Sequence, residues 1–229
     1  MRPDPGAAHA VLAAVLQVRD GRLQALLWQR ACEPFAGNWA LPGGALAEDE
    51  TLEESMRRHL AEKVDVRELS HLEQLETRSD LHRNPERREL ATGYLGLVPS
   101  GLDPEVPEDT QWHPLDEPPE LAYDHEEILV GARERLRAKL SYTNLGFALA
   151  PPSFTLAELR DLYVAALGHP VSATNLQRVL LRRELLEETG ELRRYGSAGG
   201  RPAAIYRFRT GELEITDPFA VLRPPTMAH

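Results

Sequence analysis

Apolar residues enter the chain in short dense runs separated by turn residues. Residues 10–30, AVLAAVLQVRDGRLQALLWQR, are rich in Val and Leu on both sides of Asp20-Gly21. An Asp-Gly pair between two such runs predicts a β-hairpin, because both residues tolerate the backbone angles of a tight turn. Strands are also predicted near 72–76 and 90–98, on either side of a polar loop. Residues 112–115 read as the start of a further strand and turn, before the Pro-rich loop 116–119.

Helical periodicity takes over later. Asp124, followed by Glu126 and Glu127, reads as the N-cap of a helix whose apolar stripe is Leu129, Ala132, Leu136 and Leu140. Pro151-Pro152 then breaks the chain, and residues 141–152 form a linker that Tyr142, Leu145, Phe147 and Leu149 mark as packed. In FTLAELRDLYVAALG, Thr155 and Glu158 make a capping box, Leu156, Leu159, Leu162, Tyr163, Ala166 and Leu167 form the buried stripe, and Gly168 ends the helix. Ser172 caps a second helix that buries Leu176, Val179 and Leu180. Its outer face carries Thr174, Asn175, Gln177, Arg178, Arg182 and Arg183. Two strands near 186–194 and 204–209 follow, joined by a glycine-rich loop at 195–202 that contains Arg201.

Two domains are therefore expected, 1–148 and 149–229. At 229 residues and 42% hydrophobic, the chain has enough apolar material for both cores. No apolar run is long enough to span a bilayer, and the N-terminus lacks the order of a signal peptide. A single Cys32 gives neither a disulfide framework nor a metal cluster. A cytoplasmic protein with no membrane partner is the expectation.

The net charge of −10 alone argues against nucleic acid, but it is unevenly spread. Residues 1–150 hold 16 Lys+Arg against 27 Asp+Glu, net −11, whereas residues 151–229 hold 10 against 9, net +1. Within 178–209 eight Arg face four Glu, a local +4. Such asymmetry is expected when one half meets a polyanion. Two helices and a hairpin with a basic tip describe a winged helix-turn-helix, in which Arg, Asn and Gln read base edges in the major groove. Winged helices also serve as protein-protein modules, and that alternative stays open here.

The chemistry-bearing stretch is 41–66, LPGGALAEDETLEESMRRHLAEKVDV. The Gly43-Gly44 pair reads as a tight turn, an acidic loop follows, and Thr51 opens a helix whose polar face carries Arg57, Arg58, His59, Glu62 and Lys63. This stretch resembles the Nudix box, G-x5-E-x7-R-E-U-x-E-E-x-G-U with U apolar. Counting from Gly44, Glu50, Arg58, Leu60, Glu62 and Val66 match the pattern. His59 and Lys63 replace two helix glutamates, and Asp65 replaces the closing glycine. In the family the glutamates share one helix face and hold divalent cations, as carboxylate oxygens suit magnesium. An ammonium at such a position repels a dication, so the resemblance implies a retained fold without the metal chemistry, with no catalytic residues, no metal ligands and at most a weakened magnesium site. A shifted ligand set of Glu50, Glu53, Glu54 and Glu62 keeps open the alternative of a Nudix hydrolase of ADP-ribose-like nucleoside diphosphates.

The degenerate box, the DHEEIL helix and the run FTLAEL…LYVAALG…NLQRVLL…GRPAAIYRF together are similar to the Nudix-related transcriptional regulators, bacterial repressors of NAD-metabolism genes. The resemblance extends over residues 9–209. It implies an α+β architecture: a Nudix α/β/α sandwich with a mixed sheet, followed by a small winged helix-turn-helix. It implies a homodimer on a palindromic operator, in double-stranded DNA, and an N-terminal domain that binds ADP-ribose or a related NAD-derived nucleotide without turning it over. Carried onto this chain, it offers Asn175, Arg178, Arg182 and Arg201 for DNA, and the outer face of the same helix adds Thr174 and Arg183 as DNA-binding candidates. For the effector it offers Gly43, Gly44, Glu62, and the polar-loop arginines Arg83, Arg87 and Arg88, which can clamp a diphosphate through paired donors or simply stand in solvent.

Overall fold

A computed structural model of the chain describes residues 6–64, 66, 69–193 and 202–217. Asp65, Arg201 and residues 195–201 of the expected wing loop lie outside the described residues. The chain forms two compact units, Met1–Arg135 and Leu136–His229.

The first unit is built on β1 (Ala8–Arg19). Residues Val11 to Leu16 are buried on both faces of the sheet, which is why they read as an unbroken apolar run and not as an alternating one. β1 turns at Asp20 (φ 50°) and Gly21 (φ 72°) into the antiparallel β2 (Arg22–Gln29), as the Asp-Gly pair predicts. On its other side β1 runs parallel to β6 (Glu89–Leu97), which pairs antiparallel with β5 (His71–Arg78). Short strands complete the mixed sheet: β3 (Trp39–Ala40) and β7 (Thr110–Pro114) on β2, and β4 (Gly43–Ala45) on β1.

Helix α1 (Leu52–Lys63) covers one face and packs Met56 and Leu60, with Val64 beyond its end, onto Val11, Ala13, Val15, Leu26 and Tyr94. Strand alternation turns Leu12, Ala14 and Leu16 to the opposite face. There, in helix α2 (His125–Tyr142), Ile128 lies so close to Gly93 that a Cβ at Gly93 would sit 3.1 Å from it. These are the layers of the expected sandwich. Thr51 opens α1 as expected, and does so through a capping box with Glu54.

The Gly43-Gly44 pair is not a tight turn but part of β4. A Cβ on Gly43 would collide with the Val11 carbonyl, and one on Gly44 would stand 2.5 Å from the His59 ring. Close approach, not turn geometry, calls for glycine at both positions. Asp124, expected as an N-cap, directs both carboxylate oxygens to arginines instead.

In the second unit β8 (Phe154–Thr155) leads into α3 (Leu156–Leu167), with the Thr155–Glu158 capping box at its start and Gly168 left-handed at its end (φ 73°). Ser172 caps α4 (Ala173–Arg182). β9 (Leu186–Arg193) and β10 (Ala203–Phe208) form the expected hairpin, and β8 adds a third strand in the order β8-β10-β9. After β10 the chain returns along the start of this unit. The buried Asn144 side chain donates to the Glu212 carbonyl at 2.8 Å and accepts from the Glu214 N–H at 2.7 Å, while the Thr216 N–H donates to the Tyr142 carbonyl at 2.9 Å. No helix among the described residues is long and apolar enough to cross a membrane.

Candidate functional site

A cleft of about 310 Å³ opens in the first unit beside β4 and the end of α1. Gly43, Gly44, Arg83 and Arg87 line it, and so do Trp28, Arg30, Lys63, Tyr123 and His125, none of which the motif reading proposed as ligand contacts. Glu62 and Arg88 are not in its wall. Glu62 is exposed and accepts from Arg58 at 3.2 Å, and Arg88 donates to the Ser79 and Asp80 carbonyls at 2.9 Å.

The loop arginines differ sharply from one another. The Arg83 side chain is only 2% exposed; it donates at 2.8 Å to Glu89 and, at 2.8 and 3.2 Å, to both oxygens of Asp124. Burial raises the Asp124 carboxyl, but the guanidiniums of Arg83 and Arg78 outweigh it and hold the group below the usual carboxylate range. Arg83 is thus a structural centre of the loop, fixing the floor on which the exposed Arg87 sits. Arg87 shares Glu89 at 2.8 Å.

The helix face expected to point outward is half turned in. His59 is only 7% exposed; its Nε2 lies 3.0 Å from the Ala45 carbonyl, and burial lowers its pKa. Lys63 reaches back from the last turn of α1 to donate to the Gly43 carbonyl at 2.7 Å, and its ammonium sits 4.5 Å from the Trp28 ring centroid. Arg58 grips Glu50 through two hydrogen bonds, 2.5 and 2.8 Å, and holds that carboxyl down to about 2.

Aromatic surface borders the cations. The Arg30 guanidinium lies 4.9 Å from the Tyr123 ring centroid, and Phe35 meets Tyr123 edge-on at 4.8 Å. His125 is buried, its Nδ1 accepting from the Leu41 N–H at 3.1 Å, and burial pushes its pKa down to about 3. The neutral ring locks β3's exit to the start of α2.

In the second unit α4 buries Leu176 and Leu180 and exposes Thr174, Asn175, Gln177, Arg178 and Arg182. Arg178 donates to the Asn175 side chain at 2.8 Å. Leu181, 41% exposed, stands one turn beyond Arg178 on this same face; its helical spacing from Thr174 and Arg178 carried the signal in the sequence. Arg183 belongs elsewhere: it folds back to the Ser141 carbonyl at 3.0 Å and to Asp217 at 2.9 Å.

A Nudix-type sandwich joined in one chain to a winged helix defines the class: a nucleotide-fold domain coupled to a nucleic-acid-binding module. Residues 8–130 match the NUDIX domain family and residues 146–208 the NrtR DNA-binding winged helix domain family. The chain belongs to the NrtR family of Nudix-related transcriptional regulators. It is 33% identical over 221 residues to the ADPR responsive transcriptional repressor NtrR of Acinetobacter baylyi, spanning 93% of this chain and 87% of that protein. The crystal structure of Shewanella oneidensis NrtR complexed with a 27mer DNA superposes with a TM-score of 0.75 at 34% identity, covering 87% of this chain and 93% of that one. The NUDIX domain of the Shewanella protein complexed with ADP ribose matches with a TM-score of 0.52 at 35% identity, covering 59% and 94%.

Proposed function

We propose that the chain is a ligand-responsive repressor of NAD-metabolism genes. Residues 1–148 bind ADP-ribose or a related NAD-derived nucleotide without hydrolysing it, and residues 149–229 bind a palindromic operator as part of a homodimer. The observation that carries this reading is the outer face of α4, where Thr174, Asn175, Arg178 and Arg182 are all exposed beside a buried Leu176–Leu180 seam. Arg and Asn on such a helix match the hydrogen-bonding edges of guanine and adenine. The DNA and ADP ribose complexes of the Shewanella relative support the two halves of the assignment.

The absence of turnover is supported by where the acidic side chains of the box are spent. Glu50 and Glu62 pair with Arg58, Glu53 with Arg57, and Glu54 closes the capping box. Among the described residues no group of three or more His, Cys, Asp and Glu side chains is arranged to hold a metal ion. The nucleotide acts by binding one arrangement of the two DNA-reading helices better than another, since half-sites demand a fixed separation.

Selection from a random duplex library with the purified full chain tests the assignment. A palindromic sequence should be enriched, its affinity should change when ADP-ribose is added, and ADP-ribose should remain intact after incubation with magnesium. No enriched sequence, or conversion of ADP-ribose and water to AMP and ribose 5-phosphate, would overturn it.

A further inference from the structure

Magnesium is the ion that a Nudix fold implies, and the residues present do not fit it. Of the three helix positions that would converge on the cation, one holds His59 turned toward Ala45, one holds Glu62 tied to Arg58, and the third holds Lys63. We propose that the Lys63 ammonium takes the place of the dication and binds the diphosphate of the nucleotide directly, so that effector binding needs no metal. This rests on the effector reading above and adds to it a residue and an ion dependence.

Three features of the cleft carry the proposal. First, Lys63 is held in place. Its amine donates to the Gly43 carbonyl at 2.7 Å and lies 4.5 Å from the Trp28 ring centroid, so its long side chain is ordered before a ligand arrives. An ammonium has three N–H donors, and a carbonyl and a ring face occupy it without neutralising its charge. Second, the cations of the cleft fall into two sets. Arg83 and Arg87 are neutralised by Glu89, Arg83 also by Asp124. Among the described residues neither Lys63 nor Arg30 has a carboxylate within salt-bridge distance; Arg30 is held by the Pro34 carbonyl and the Tyr123 ring. Third, these two charges line one cleft with Gly43 and Gly44, where a Cβ would meet the Val11 carbonyl or the His59 ring. Burial, and then the positive charges of Arg30 and Arg58, lower the Lys63 pKa. Like charges held together in this way are relieved by an anion between them.

A diphosphate meets this demand, with paired negative charges a few ångströms apart and oxygens that accept from ammonium and guanidinium alike. In a metal-dependent site the same oxygens would face a cation ligated by carboxylates. Here the cation is covalently part of the chain.

The test is calorimetric titration of the full chain with ADP-ribose, and separately with inorganic pyrophosphate, in excess EDTA and in magnesium. Wild type should bind both probes in EDTA, with affinities that magnesium leaves within about twofold. Lys63→Met should weaken both in EDTA by about tenfold or more, equivalent to about 1.4 kcal/mol, and Lys63→Arg should recover most of the loss. Lys63→Glu should make ADP-ribose binding magnesium-dependent. The proposal falls if EDTA abolishes wild-type binding, if Lys63→Met binds as wild type does, or if Lys63→Arg, melting at the wild-type temperature, loses as much as Lys63→Met. Pyrophosphate binding that follows this pattern while ADP-ribose fails to bind would leave Lys63's role standing and remove the effector assignment instead.

Discussion

The arginines around the cleft and those on the outer face of α4 stand in opposite settings. Around the cleft most guanidiniums are matched by carboxylates: Arg83 by Glu89 and Asp124, Arg58 by Glu50 and Glu62, Arg78 by Asp124 and Glu127. On α4, Arg178 and Arg182 stand exposed with no carboxylate pairing among the described residues, Arg178 leaning on the neutral Asn175 side chain. An arginine ringed by acids is committed to the fold, and one left uncompensated on a ridge is available to a polyanion. Residue type does not separate the two roles. Arg183 adjoins Arg182 in sequence, yet it belongs with the committed set through Asp217.

The contrast can be broken or sharpened by mutation. The largest effect is expected from Arg83→Ala, which strands Glu89 and Asp124 in a buried loop; denaturant unfolding should show about 3 kcal/mol lost. A loss under about 0.5 kcal/mol would mean that the buried network contributes little. Next comes Arg178→Ala, expected to cost operator affinity about 2 kcal/mol and to relax preference at one base pair while leaving the melting temperature unchanged. A uniform weakening on every sequence would make Arg178 a phosphate contact.

Acidification acts on the first unit through His125. Its folded pKa of about 3 lies below the ordinary 6.5, so below pH 6.5 the unfolded chain binds the extra proton. Stability should therefore fall as pH drops from 6.5 toward 3, by roughly 1 kcal/mol per pH unit. His125→Asn, which keeps an acceptor for the Leu41 N–H but does not titrate, should flatten that slope in calorimetric scans. The smallest effect is expected from Arg183→Ala: about 1 kcal/mol of folding stability, with operator affinity of the folded protein unchanged. A loss of DNA affinity as large as that of Arg178→Ala would return Arg183 to the reading face.

What the sequence disclosed follows from distance along the chain. The hairpin at Asp20-Gly21, the helix start at Thr51, the capping box at Thr155 and the left-handed Gly168 depend on neighbours within four residues, and all are as expected. The outer face of α4 was legible for the same reason, since periodicity alone separates Leu176 and Leu180 from Arg178 and Arg182. The roles of Arg83 and Arg183 were not, because their partners Asp124 and Asp217 lie 41 and 34 positions away. Lys63 was visible as a departure from the box, but its contacts with Gly43 and Trp28 come only from folding the helix onto the sheet. Gly43-Gly44 looked like a turn because glycine serves turns and close approaches equally well.

The return of the chain after β10 bears on how the protein can be cut. The family match for the winged helix ends at residue 208, but the Asn144 side chain spends its donor and its acceptor on residues 212 and 214. A fragment ending at Phe208 would leave that carboxamide unsatisfied inside the protein, at a cost of about 1–3 kcal/mol. For fusion to a reporter, or for expressing the DNA-reading half by itself, the C-terminal boundary belongs after Asp217, which holds Arg183.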